Sequence, residues 1–367
     1  MRAVVLEAAG TATHVEELEL RSPGPDEVRV RIAASGVCHS DLHVRDGEWE
    51  RPGPIVLGHE GSGWVEAVGP GVEQPRVGDF VSLSWYYPCL VCSHCLAGRQ
   101  WLCQGSGSLK HRLPDGSTAL RRSDGTEVAS YLAIGTMAEA TVTAATAAVP
   151  LPADVPPEVA ALIGCCVSTG VGAVLKTAAV PAGASVCVIG LGGVGLSAVM
   201  GAVLAGASTI VAVDRVPSKL ELARELGATH TIEAGADTAM TTKAIRSATG
   251  GGPDYCVEAI GLRVTAEQAI AMLPPGGTAV LAGMTPFGVA ASFEVFPFVD
   301  GGRRILGSNY GSTVAALDFP KYAEMYRAGR LPIDRLVSKR IGLDDVEGAF
   351  DDMRRGEGVR QVIVFGR

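Results

Sequence analysis

Aromatic side chains are scarce in this 367-residue chain, Phe, Trp and Tyr together making up 5%. Its core must therefore come from Val, Ala, Leu and Ile. Charge is thin as well, 19% against 47% hydrophobic residues, which excludes a disordered acidic tail or a basic nucleic-acid arm. No basic cluster is larger than Arg121-Arg122 or Arg303-Arg304, and 31 cationic against 39 anionic side chains leave a net charge of −8. Nucleic acid is thus excluded as a partner, and an anionic cofactor would have to be held by local geometry against the overall field. The opening MRAVVLEAAG lacks a basic head followed by an apolar run, so no secretory signal is expected and a reducing cytoplasm is. The uncharged span 185–213 is long enough for a membrane helix, but Gly190, Gly192, Gly193 and Gly195 cut it. It reads instead as a strand–turn–helix–strand unit buried in a parallel sheet, with no membrane contact.

Glycine is the excess, 47 residues, or about 13% against a usual ~7%. With no Gly-X-Y period, it points to tight turns and close backbone approaches. The length suggests two to three domains at about 150 residues each. Residues 1 to about 160 read as short strands, at Ala3–Leu6, Val28–Ala33, Gly63–Val68 and Phe80–Ser84, separated by proline and glycine turns. A proline-rich boundary at 150–157 follows. Then strands alternate with helices: Val186–Ile189, Gly195–Ala205, Ile210–Val213, Lys219–Leu226, Tyr255–Val257 and Thr278–Ala282, the pattern of a doubly wound parallel sheet. Helices at Phe319–Ala328 and Leu343–Arg354 and a strand at Gln361–Phe365 close the chain. The polar, glycine-rich stretch 104–134 reads as a long functional or mobile loop.

Gly190-Leu-Gly192-Gly193-Val194-Gly195 matches G-x-G-x-x-G between a strand and a helix, and the next strand ends at Asp214, about 20 residues on. Glycines there let the backbone approach a pyrophosphate at a helix start. Asp214 would accept hydrogen bonds from the adenosine ribose and repel a 2′-phosphate, favouring NAD. Arg215, directly after it, keeps NADP open.

Cys89, Cys92, Cys95 and Cys103 are spaced C-x2-C-x2-C-x7-C beside Pro88 and Gly98. Four thiolates in one short segment suit a closed structural zinc, with an iron–sulfur cluster or two disulfides as rivals. The ferredoxin spacing, x3 before the last Cys and Pro after it, is absent. His94 is surplus to such a set. Cys38, His59 and Cys165 lie far apart in sequence; singly each fits a core position, together they make the open two-Cys, one-His set of a catalytic zinc.

These landmarks run in order: Cys38-x-Ser40-Asp41-x-His43, Gly58-His-Glu, the four-cysteine segment, Gly164-Cys165, the Gly190 loop with Asp214 and Lys219, and Gly358-Val-Arg360. In them the chain resembles, over nearly its whole length, the zinc-dependent medium-chain alcohol dehydrogenases that carry two zinc ions. The resemblance implies an α/β protein. A GroES-like β-rich catalytic domain would take 1–166 and 310–367, and a Rossmann dinucleotide domain 167–309. It implies that Cys38, His59 and Cys165 hold the catalytic zinc with Glu60 behind it, and that Asp41 orients His59. Ser40 would pass the alcohol proton towards His43. His39 and Arg360 would contact the pyrophosphate, Asp214 and Lys219 the adenosine ribose, and Thr169 the nicotinamide. Read as residues alone, Lys219, His43 and Arg360 also fit plain surface positions.

The reaction so implied is reversible hydride transfer between a primary alcohol and NAD, zinc acting as Lewis acid on the bound hydroxyl. By the same resemblance the pocket would include Trp49, Trp85, Ala133, Ile134, Met284 and Asn309, and the protein would be a homodimer joined through the cofactor-domain sheets. The family pattern is departed from at Cys166, where glycine is usual, which leaves the choice of ligand open between two adjacent thiols. It is also departed from at His39, which replaces an arginine of some relatives. Gly78–Trp85, Asp124–Glu127, Asp318–Pro320, Gly329–Pro332 and Ile341–Glu347 look similar to actinobacterial members that oxidise the formaldehyde adduct of mycothiol. General primary-alcohol dehydrogenases, nicotinoproteins and NADPH-dependent aldehyde reductases of the superfamily remain the alternatives, beside a non-catalytic redox-sensing relative.

Overall fold

A computed structural model describes residues 1–366. Packing divides the chain into two units, residues 1–165 with the chain from Val314 onward, and residues 166–313.

The first unit is organised around the strand Glu27–Gly36, whose residues are almost all buried. Glu60–Val68 runs antiparallel along one edge. On the other, Ala140–Ala144 pairs with its first half and Arg360–Val364 with its end. Register slips between Ile32 and Ala34, a bulge that bends the strand. The last rung sets Gly36 opposite Glu60, and a Cβ at Gly36 would stand 2.1 Å from Glu60 Oε2. Glycine here lets Val37-Cys38 leave one strand beside the entry of His59 into the next. A smaller sheet is built from His14–Glu17, Arg2–Leu6, Ile55–Val56, Glu127–Ser130, Leu120–Arg121 and Glu19–Leu20.

The expected loop at 104–134 is therefore partly sheet. Leu120–Arg121 and Glu127–Ser130 pair antiparallel across a turn at Asp124-Gly125, where Gly125 has φ +89 and Asp124 accepts the Thr126 N–H. An Asp-Gly pair is a hairpin signal that the polar composition around it masked.

The second unit is a sheet of six parallel strands. Its order is His230–Glu233, Thr209–Asp214, Ser185–Ile189, Tyr255–Glu258, Thr278–Leu281 and Arg304–Gly307. In chain order that is 3-2-1-4-5-6, the doubly wound arrangement whose ligand crevice lies at the carboxyl end of the first strand. The uncharged span 185–213 is strand, helix Gly193–Ala205 and strand, as expected of a buried sheet unit. One other run, Pro157–Thr177, is long and apolar enough by composition to cross a membrane, and its apolar window is 89% buried within the protein.

Candidate functional site

The helix His39–Arg45 starts at Cys38, whose N–H donates to Asp41 Oδ2 at 3.1 Å. The other oxygen of Asp41 accepts the Gly58 N–H at 3.0 Å and lies 3.1 Å from His59 Nδ1. One buried carboxylate thus fixes the backbone around Cys38 and the ring of His59. Because a carboxylate only accepts, Nδ1 carries a hydrogen, which leaves Nε2 as the nitrogen able to take a metal. Cys165 comes from the opposite direction, on a wide turn, Ile163–Val167, in the helical run that begins at Pro157. Gly164 lets that turn approach the strand Phe80–Leu83; a Cβ there would stand 2.5 Å from Leu83 O.

The result is a fully buried group. The ligand atoms of Cys38, His59, Glu60 and Cys165 all lie within 4.8 Å of one another. Cys166 is buried in the same turn but outside the group, so the sulfur brought to Cys38 and His59 is that of Cys165. The two thiols shift in opposite directions. Hydrogen bonding from Cys165 holds Cys38 well below the usual thiol range against the cost of burial, with Arg360 and His59 adding their charge, and Cys165 is pushed up in turn. Two soft sulfurs and one imidazole nitrogen, gathered in one buried place, suit Zn²⁺, whose binding would release the protons that Cys165 and His59 hold.

Arg360 is the surprise of this site. It is 4% exposed, donates to Cys38 Sγ at 3.4 Å and to Val37 O at 3.2 Å, and lies 3.3 Å from Glu60 Oε1. Burial lifts the Glu60 carboxyl to about 7 while the guanidinium pulls it down. The resemblance implied a pyrophosphate contact for Arg360; in the structure its guanidinium meets Cys38 and Glu60 of the candidate metal group, a placement no local motif announces. Tyr131, by contrast, was not legible as a site residue in the sequence. Its ring meets His59 edge-on at 5.6 Å and lies 5.6 Å from that of His111. Ser40 stands beside the cluster, its Oγ 3.8 Å from Cys38 Sγ. His43 lies one turn further along the helix, at its partly open end, and His39 is exposed.

The sulfurs of Cys89, Cys92, Cys95 and Cys103 form a second group within 4.8 Å, without His94. All four are free thiols. Backbone N–H groups point at them, Cys89 N–H to Cys103 Sγ at 3.2 Å and Cys92 N–H to Cys89 Sγ at 3.4 Å. The amides of Cys95 and Gln104 bring the Cys92 thiol down to about 6. Amides aimed at sulfur favour thiolates, the form a tetrahedral zinc requires.

In the second unit the glycine loop leaves the first strand at Gly190, with φ +90. A Cβ on Gly195 would stand 1.7 Å from Gly190 O, so the fold itself demands that glycine. Gly192 is different, because a Cβ there would meet nothing within 4 Å. That open space in front of the helix Gly193–Ala205 is where a phosphate would meet free amides. Val194, in the first turn of that helix, is partly open. Asp214 Oδ2 accepts the Leu191 N–H at 2.7 Å and Oδ1 the Val216 N–H at 2.9 Å. Each oxygen keeps a lone pair for a further donor. Lys219 sits half-buried in the helix Pro217–Glu225, Arg215 is exposed, and Thr169 is buried in the helix Ser168–Gly172.

Of the expected pocket residues in the first unit, Trp49, Ala133 and Ile134 are buried and Trp85 is half-buried; in the second, Met284 is exposed.

Residues 24–153 match the family described as alcohol dehydrogenase GroES-like domain, and residues 193–328 the zinc-binding dehydrogenases. An NDMA-dependent alcohol dehydrogenase of Amycolatopsis methanolica is 36% identical over 99% of this chain and 98% of its own length. An S-(hydroxymethyl)glutathione dehydrogenase of Paracoccus denitrificans is 34% identical over 99% of both. The crystal structure of benzyl alcohol dehydrogenase from Acinetobacter calcoaceticus superimposes with a TM-score of 0.91 at 34% identity, over 100% of this chain and 99% of that one.

Proposed function

Since the chain belongs to the zinc-dependent medium-chain alcohol dehydrogenases and is an oxidoreductase acting on CH–OH, we propose that it oxidises a primary alcohol to the aldehyde with NAD, reversibly. The observation that carries this is the buried Cys38–His59–Cys165 group with Asp41 behind the imidazole. In this reading residues 1–165 with 314 onward do the chemistry, and residues 166–313 hold the dinucleotide.

Cys38, His59 and Cys165 would hold a catalytic zinc, and the four thiols of Cys89, Cys92, Cys95 and Cys103 a structural one. The catalytic zinc supplies Lewis-acid polarisation of the alcohol oxygen, and NAD supplies the hydride acceptor. Everything else falls to the chain. Asp41 keeps the His59 ring turned so that Nε2 would face the metal. Arg360 compensates the negative charge that two thiolates and Glu60 accumulate in a dry site. Ser40 accepts the alcohol proton and hands it on towards His43. Gly190, Gly192, Gly193 and Gly195 let backbone amides reach the pyrophosphate, where His39 adds a donor. Asp214 and Lys219 hold the adenosine ribose, and Thr169 lines the nicotinamide.

The relative named for NDMA dependence favours a second reading of cofactor handling, in which the dinucleotide stays bound between turnovers. One assay separates the possibilities. NADH formation is followed with benzyl alcohol, short primary alcohols, and formaldehyde with and without mycothiol, and NDMA consumption is followed with no added NAD. Turnover of free alcohols with added NAD is expected. Strict thiol dependence would make the substrate a hydroxymethyl-thiol adduct, turnover with NDMA alone would support retained cofactor, and no alcohol-dependent turnover in any arm would defeat the reading.

We further infer a homodimer. The strand Arg304–Gly307 ends its sheet, and Phe287, Val295, Phe296 and Val299 near it in sequence are 65–81% exposed, an apolar surface that a second copy would cover. Sedimentation at a single-chain mass would contradict this.

A further inference from the structure

We propose that Glu48 is a positioning residue for His43, holding its imidazole in the Nδ1–H tautomer so that Nε2 is the nitrogen that takes the proton. The proposal rests on the reading above, in which His43 ends the proton path that starts at Ser40.

The helix His39–Arg45 stops at Asp46, and Gly47, with φ +82, turns the chain back on itself. The N–H groups of Glu48 and Trp49 then both donate to the carbonyl of His43, at 2.9 and 3.3 Å. This closed turn delivers two consecutive side chains to one ring. Glu48 Oε2 lies 2.5 Å from His43 Nδ1. The Trp49 indole stacks on the imidazole face, centroids 4.7 Å apart and planes 30° off parallel. Trp49 is itself anchored, 6% exposed, with the Arg51 guanidinium 6.0 Å from its centroid. His39, one turn earlier on the helix, has its ring 6.1 Å away. Among the described residues Nε2 of His43 has no hydrogen-bond partner, so the clasp takes one nitrogen and one face and leaves the other nitrogen for transfer.

The chemistry follows from the acceptor. An ionised carboxylate can only accept, so a short contact to Nδ1 places the hydrogen there and the lone pair on Nε2. A free neutral histidine prefers the opposite tautomer, with hydrogen on Nε2, which cannot take a proton at that nitrogen. The same carboxylate offsets the charge of the imidazolium formed on transfer, the logic of an acid–histidine pair in hydrolases. As a contribution to folding, a pair this exposed is worth little. Its consequence is the tautomer, which does not depend on net stability.

The test uses the zinc-loaded protein labelled with ¹⁵N-histidine, at alkaline pH where imidazoles are neutral. His43 is assigned from the signal lost in His43→Gln. The native protein should show His43 protonated on Nδ1. Glu48→Ala should move it to mainly Nε2–H and lower the single-turnover rate of alcohol oxidation roughly tenfold, with alcohol affinity within about twofold and zinc content unchanged. Glu48→Gln, whose amide oxygen still accepts from Nδ1, should keep the tautomer and most of the rate. An Nε2–H tautomer in the native protein, or no change in Glu48→Ala, would overturn the pairing. A tautomer change with an unaltered rate would overturn its part in proton transfer. A fully active His43→Gln would overturn the proposal through the underlying proton path, while the tautomer data would still report whether the clasp exists.

Discussion

Asp41 and His59 meet at 3.1 Å, carboxylate to Nδ1, where neither side chain is more than 1% exposed. The same carboxylate takes the backbone N–H groups of Cys38 and Gly58. It therefore organises two of the three proposed zinc ligands at once.

Asp41→Asn should keep the shape of this arrangement and lose its charge. Partners of this kind contribute about 10- to 100-fold in metal affinity. Zinc per chain, measured after dialysis against a weak chelator, is expected to fall from two towards one, with activity lost in proportion. Two zinc ions retained at native affinity would show that Asp41 does not support the metal.

Gly192 and Gly195 should respond in opposite ways to the same methyl group. At Gly195 a Cβ would stand 1.7 Å from Gly190 O, so Gly195→Ala must displace the loop and lower the melting temperature. At Gly192 the space is open and φ is −73, so Gly192→Ala should fold normally yet occupy the place of a pyrophosphate. Its Kd for NAD should rise tenfold or more. Native NAD affinity in Gly192→Ala would place the dinucleotide elsewhere.

Asp214 has two duties in this geometry, a hydrogen bond to Leu191 within the glycine loop and the proposed contact with ribose. Asp214→Ser should relax the preference for NAD over NADP and also weaken both, because the loop loses its tie. The ratio of kcat/KM for the two cofactors is the readout. An unchanged ratio would remove Asp214 from cofactor selection.

His111 should make the fold sensitive to mild acid. It is 3% exposed, and its Nδ1 accepts the N–H of Leu132, a residue at φ 53. Burial, helped by the charges of Arg51 and Arg112, lowers its imidazole to about 4. An unfolded histidine titrates near 6.5, so between the two values the unfolded chain binds more protons. Stability from this group is complete above about pH 6.5, declines as pH falls to about 4, and changes no further below. The span corresponds to an upper value on the order of 3 kcal/mol. His111→Asn should flatten the decline in melting temperature between pH 7 and pH 4.5; an equal decline in both proteins would assign the acid sensitivity to other groups.

The legible parts of this protein are those whose chemistry is local in the chain. Four cysteines within residues 89–103, and a glycine loop one strand ahead of Asp214, reveal themselves because backbone geometry over a few residues already confines their side chains. The inner strands of the parallel sheet were legible for a similar reason, Val186–Ile189, Ile210–Val213 and Tyr255–Val257 being continuous apolar runs. His230–Glu233 and Arg304–Gly307, the two edges of the parallel sheet, were not. With one side unpaired they are only half-buried and carry no such run. The helices Thr238–Ala248 and Arg263–Ala271, polar on their outer sides, escaped for the same cause.

By itself, then, the sequence determined the pairing of a β-rich unit with a doubly wound one, the family, and which residues were able to bind metal. Only the tertiary structure brings Cys165 rather than Cys166 to Cys38 and His59, since that depends on how the helical turn at Gly164 seats against Leu83. It also decided where Arg360 lies, because a residue 322 positions from Cys38 reaches it only when the last strand pairs beside Gly36. Likewise it brought Glu48 onto His43, through a reversal at Gly47 that no metal or nucleotide motif encodes. Spacing constrains what a few residues of backbone can reach; which distant side chains meet is set by strand register and close packing, and those exist only in the folded chain.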